Sequence, residues 1–216
     1  MEIWIVLAVI VVIGLFLVTT YNRLVTLRQR VREAWSDIDV QLKRRYDLIP
    51  NLVRTVQGAA NFEKSTLEAV IGARSRVGQV TMGGGAPGTQ SNLPNSPQAM
   101  AQFEAAQGAL SNALSRLLVV VERYPDLKSN QNFLELQSQL EGTENRIAVE
   151  RRRYNEVVQQ FNSSVQKFPA NLVANMFGFV AKAYFRGVAG SNVAPEVNFQ
   201  PFGNQPAPAT ATTGTR

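Results

Sequence analysis

The chain contains neither cysteine nor histidine. Without cysteine there is no disulfide framework and no thiolate nucleophile. Without either residue there is no Cys/His zinc site, no Ser-His-Asp triad and no Glu-x-x-His ligand pair of a di-iron bundle. An enzyme would have to work with Asp, Glu, Lys, Tyr and backbone groups, so the sequence reads as non-enzymatic. No catalytic residue, cofactor or metal site is assigned. Acidic side chains are outnumbered, 16 against 22 basic, for a formal charge of +6. That excess suits nucleic acid or an anionic membrane surface. The basic runs Lys43-Arg44-Arg45 and Arg151-Arg152-Arg153 lack interleaved aromatics and any recognition motif, so no nucleic-acid partner is expected. Glu33, Asp37 and Asp39 are interleaved with basic residues along one segment, which points to surface salt-bridge ladders instead of a metal or acid/base site.

Charge is missing altogether from Ile3 to Val18, sixteen residues that include Trp4, Ile10 and Phe16. With Thr19, Thr20 and Tyr21 the uncharged run reaches roughly 28 Å as a helix, close to the ~30 Å hydrocarbon thickness. A signal peptide would want a basic start and a small-x-small cleavage site; Glu2 precedes the run and Thr-Thr-Tyr-Asn comes after it. A retained transmembrane helix over residues 1–22 is therefore expected, with the bilayer as its first partner. Arg23, Arg28, Arg30 and Arg32 come directly after the span and would lie at an anionic leaflet surface. By the positive-inside rule the amino terminus lies outside and the rest in the cytoplasm, in a single-pass inner-membrane topology.

Alternating strand patterns bounded by turns are also absent, and the chain beyond the span is helical in pattern. Leu24, Val31, Ile38 and Leu52 share one heptad position, interrupted by Arg45; Trp35, Leu42, Ile49 and Val56 share the complementary one. Pro50 predicts a kink near residues 46–50. Two readings of Arg45 stand side by side: a buried Arg–carboxylate layer, or a side chain snorkelling to the rim. A second helix is expected from an N-cap at Asn61, with Phe62, Leu67, Val70, Ile71 and Val77 on one face. The Gly/Pro/Asn-rich stretch 83–97 predicts a loop that does not match a phosphate-binding pattern. A third helix carries Met100, Phe103, Leu110, Leu114, Leu117 and Val121 up to Tyr124-Pro125. In the fourth, Phe133, Leu140, Ile147, Tyr154, Phe161 and Phe168 recur every seven residues. Together these segments predict an all-α fold, an antiparallel long-helix bundle over residues 23–186 continuous with the transmembrane helix.

If neighbouring helices alternate in direction, Phe168 ends near the bilayer. Residues 169–185 then predict an apolar helix with Leu172, Val173, Met176, Phe177, Phe179, Val180, Tyr184 and Phe185 on its wide face. Three fates are open to it: a fifth core helix, an interfacial helix in the headgroup layer, or a contact between subunits. Residues 187–216, rich in Pro and Thr, predict a disordered tail.

The blocks EAWSDIDVQLKRRYDLIPNLV, LQSQLEGTENRIAVERRRYNEVVQQFN and FPANLVANMFGF resemble the LemA family closely, and the likeness covers most of the chain outside the 83–97 stretch and the tail. The resemblance implies bacterial envelope proteins with an N-terminal membrane helix and a long-helix bundle. They have no established enzymatic activity, and some are associated with formation of internal membranes. It supplies no catalytic residues. The expectation is a non-enzymatic homo-oligomeric scaffold that organises or remodels the membrane. The alternative is an adaptor recruiting another envelope protein, a protease or signalling factor, through its loop or tail.

Overall fold

A computed structural model describes residues 2–58, 62–82, 94 and 96–186. The expected N-cap at Asn61, most of the 83–97 stretch and the 187–216 tail lie outside the described residues. Among the described residues there are six helices: α1 Glu2–Gln57, α2 Lys64–Met82, α3 Pro97–Val121, α4 Pro125–Lys128, α5 Gln131–Gln166 and α6 Ala170–Met176. Two of the long helices start where the sequence offers caps. Ser96 accepts from the Ala99 amide ahead of Pro97, and the Asn130 side chain accepts from the amides of Asn132 and Phe133.

Helix α1 runs unbroken for 56 residues, roughly 84 Å. Its large apolar side chains from Ile3 to Phe16 and at Val18 are exposed, and full burial begins at Leu24. From there the three- and four-residue spacing holds through Val31, Trp35, Ile38, Leu42, Ile49, Leu52 and Val56, all buried. The helix also continues through Pro50, which cannot donate to the Tyr46 carbonyl one turn earlier. Arg74 of α2 supplies the missing donor: its Nε reaches Tyr46 O at 3.3 Å, and its guanidinium lies 3.7 Å from the Tyr46 ring centroid.

Helices α1 and α5 run antiparallel along their length, with Trp35 against Tyr154 and Asp37 accepting from Arg153. Helices α2 and α3 form the second antiparallel pair, with Phe62 against Tyr124 and Glu63 accepting from Arg123. Phe133, Leu140, Ile147, Tyr154 and Phe161 of α5 are buried as the heptad predicts. Phe168 is not: it is 79% exposed. Helix α5 ends at Gln166 and Lys167 is already extended, one residue ahead of Phe168, which Pro169 disfavours in helical geometry. Projected past the helix end, the heptad has no face to describe. Ile71, expected inward, is exposed beside the buried Val70.

The core has two parts. The proximal one, next to the apolar segment, joins Leu24–Leu42 of α1 to the start of α3, the second half of α5 and residues 173–185. The distal one joins the end of α1 to α2, the rest of α3 and the start of α5. Between them lies a polar layer. Arg45, 1% exposed, donates to Glu144 (2.6 Å), to Ser111 Oγ (3.1 Å) and to Gln107 Oε1, while Ser111 Oγ donates to the other Glu144 oxygen (3.1 Å). Of the two readings of Arg45, the buried layer is the observed one. Four polar groups from three helices satisfy one another here, fixing axial register where a slide of an apolar seam would otherwise cost little.

Candidate membrane-interface site

The expected 169–185 helix is short. Helix α6 stops at Met176 because Gly178 takes a left-handed conformation (φ 68°), which a side chain would disfavour. Two amides turn back to close the helix: Phe179 N–H to Ala174 O (2.9 Å) and Gly178 N–H to Asn175 O (3.4 Å). Residues 179–186 then run extended as a strap over α1, α3 and α5, in the proximal half, where none of the described α2 side chains is fully buried.

Helix α5 holds this strap by its backbone. The Asn162 side-chain amide donates to Lys182 O (2.9 Å) and accepts from Lys182 N–H (2.7 Å). One heptad earlier, Asn155 makes the same pair with Phe185, both at 2.9 Å. The Tyr154 hydroxyl donates to Ala183 O (3.1 Å), and Glu104 of α3 accepts from Arg186 N–H (2.6 Å). An extended segment outside a sheet has no partner for its amides; two asparagines seven residues apart serve as one. Phe185 anchors the end, stacked on Trp35 (centroids 5.6 Å, planes 12° apart), edge-on to Phe103 and Tyr154, with the Arg151 guanidinium 5.2 Å away.

Of the eight residues proposed for lipid or subunit contact, Val173, Phe179 and Phe185 are therefore core, with Ala174 beside them. Leu172, Met176, Phe177, Val180 and Tyr184 point outward, and Phe168 joins them. Tyr21, which closes the uncharged run, packs on Phe177 (4.8 Å) and Phe179 (5.9 Å), and Arg28 lies 5.1 Å from the Phe179 ring. These contacts set the outward apolar residues of α6 beside the point where the apolar segment enters the bundle. Arg23, Arg30 and Arg32 are exposed around the same neck and Arg28 is half-buried. Lys182 on the strap adds another cation; partial burial, then repulsion from Arg32 and Arg28, lowers its pKa. Burial raises the pKa of the Tyr154 phenol. At a pH below the ordinary phenol pKa of about 10 the buried phenol contributes its full stability. Above that value the unfolded state ionises first, so stability falls as pH climbs. Alkaline titration monitored by tyrosinate absorbance should show one of the five tyrosines ionising only as the bundle unfolds.

The acidic cluster of α1 is dispersed: Asp37 pairs with Arg153 (3.2 Å), and partial burial raises the pKa of Asp39. Sequence reasoning missed Asn155 and Asn162. Their seven-residue spacing, each directly after a seam aromatic, Tyr154 or Phe161, was the available signal.

These features define a class: a long-helix bundle led by one helix long and apolar enough to cross a membrane, which suggests membrane anchoring, with an apolar, cation-flanked rim at its base. The chain belongs to the LemA family, whose family model matches residues 34–199. It is 30% identical over 181 residues to the magnetosome proteins MamQ 1 and MamQ 2 of Paramagnetospirillum magneticum, covering 79% of this chain and 66% of each relative. It is 26% identical over 180 residues to Protein LemA of Metamycoplasma hominis, covering 82% of this chain and 75% of that protein. The chain thus spans slightly less than two thirds of the length of those MamQ relatives.

Proposed function

We propose that the protein is a non-enzymatic, single-pass inner-membrane protein with its amino terminus outside and its bundle in the cytoplasm. There the rim seats in the headgroup layer, and copies gather as a membrane-organising scaffold. The observation that carries this reading is the exposed set Phe168, Leu172, Met176, Phe177 and Val180, tied to the base of the apolar segment by Phe177 against Tyr21. Apolar side chains at that level gain by entering the interface, and the neighbouring arginines favour an anionic leaflet. A span and a rim held together occupy more area in one leaflet than in the other. The resulting bilayer strain is relieved when copies share it, which supplies a force for lateral association. The relatives named as magnetosome proteins fit a role in internal membranes, the expectation that accompanied the family resemblance.

The absence of cysteine makes the test clean, since one introduced cysteine labels one site. In proteoliposomes, a fluorophore on Leu172→Cys should be quenched by brominated lipid, whereas one on Val119→Cys, exposed far from the rim, should not. Cross-linking in native-lipid discs should give multimers, and the exposed-residue triple variant Leu172→Ser/Met176→Ser/Val180→Ser should reduce them while leaving the chain in the membrane. A strictly monomeric wild-type protein would reject the scaffold in favour of the adaptor reading.

A further inference from the structure

On the bundle face between α1 and α5, at the proximal end, there is a cavity of about 620 Å³, within the usual size range of ligand sites. Arg23 and Arg30, two turns apart on α1, line one wall, and Lys167, at the end of α5, lines the other. Thr26, Ser163 and Ser164 lie between them. Among the described residues none of the three cations forms a salt bridge, and no carboxylate lines the cavity; Glu33 and Glu156, the acidic residues next along the two helices, lie outside it. The Thr26 hydroxyl is occupied in donating to Asn22 O (2.9 Å). The half-buried Ser163 and Ser164 hydroxyls have no partner among the described residues and remain free to donate. The carboxyl end of α5 opposes an anion with roughly half a negative charge. Three formal positive charges outweigh it.

Depth selects the ligand. Arg23 lies two residues beyond Tyr21, roughly 3 Å along the helix, within the headgroup zone if the uncharged run fills the hydrocarbon. Phe168, next in the chain to Lys167, is exposed and apolar. We propose that this cavity binds the phosphate of an anionic phospholipid headgroup, with Arg23, Arg30 and Lys167 supplying the charge and Ser163 and Ser164 the hydrogen bonds. The proposal rests on the membrane placement above. Resistance of the protein to alkaline carbonate extraction from vesicles reports that placement independently of headgroup binding.

The full chain, delipidated in detergent, would be titrated with phosphatidylglycerol and with phosphatidylcholine, and the retained lipid counted by native mass spectrometry. Phosphatidylglycerol should be retained preferentially. At about tenfold in affinity per charged hydrogen bond lost, Arg23→Gln/Arg30→Gln should weaken retention roughly a hundredfold, and adding Lys167→Gln should bring the loss to about a thousandfold. The charge-matched Arg28→Gln/Arg32→Gln variant should lose much less. Equal losses for the two double variants would mean diffuse surface attraction and would overturn the site. So would equal retention of the two lipids. Inorganic phosphate that competes at matched concentration would show a soluble-anion site and remove the lipid from the proposal.

Discussion

Glu144→Leu is expected to destabilise the bundle by about 3 kcal/mol, read as a lowered denaturation midpoint in detergent with an unchanged slope. Burial in the pair is unequal: the Arg45 side chain is 1% exposed and that of Glu144 47%. Removing the acid leaves a guanidinium sealed from water with only neutral acceptors on Gln107 and Ser111. Those acceptors keep the cost at the low end of the range for a stranded buried charge. Removing the base is gentler. Arg45→Met leaves a carboxylate that solvent can hydrate and one unsatisfied Gln107 oxygen, about 1–2 kcal/mol. The double variant should be less damaged than Glu144→Leu alone, so a double-mutant cycle should report strong coupling. Should Arg45→Met prove the more damaging single change, unequal burial does not govern this layer.

Phe185→Ala should cost about 3 kcal/mol, but locally. The ring fills a slot walled by Trp35, Phe103 and Tyr154, yet it is attached to a strap and not to a helix. A strap can lift while the helices beneath it stay folded. The loss should therefore appear as sub-global opening, with hydrogen exchange at the Lys182 and Phe185 amides accelerated on the order of a hundredfold. Amides in α2 should keep their protection. Loss of protection throughout the bundle would show instead that the strap and the helices unfold as one cooperative unit.

The helices were legible in the sequence because each long one carries its own periodic record. Leu24 to Val56 and Phe133 to Phe161 are buried at the spacing read from the residues alone. That spacing stops being informative where the backbone stops being helical. Phe168 continued the count numerically, but the chain had already left the helix at Lys167. The apolar pattern of residues 169–185 reads as one helix, and the positive φ of Gly178, which periodicity does not register, ends it. Asn155 and Asn162 repeat at the heptad interval, but a polar pair beside a seam does not say which backbone its amides clamp until the strap lies across α5. Arg74 was invisible for a similar reason: its task, donating to the carbonyl that Pro50 leaves open, exists only once two helices are side by side. The candidate site was half readable. The outward residues Leu172, Met176, Phe177 and Val180 were identified as apolar, whereas the division between them and the inward Val173, Phe179 and Phe185 required the strap.

If α1 spans the membrane as proposed, its unbroken course makes the protein a lever. With no joint between the apolar segment and the bundle, any lean taken up by the first part is handed whole to the second. Membrane helices adopt leans of about 20° to match bilayer thickness. Over the roughly 50 Å that α1 continues past Leu24, such a lean sweeps its far tip sideways by about 17 Å. A bilayer a few ångströms thinner or thicker would thus reposition the tip by several times that amount, turning lipid composition into a displacement that a neighbouring molecule could feel.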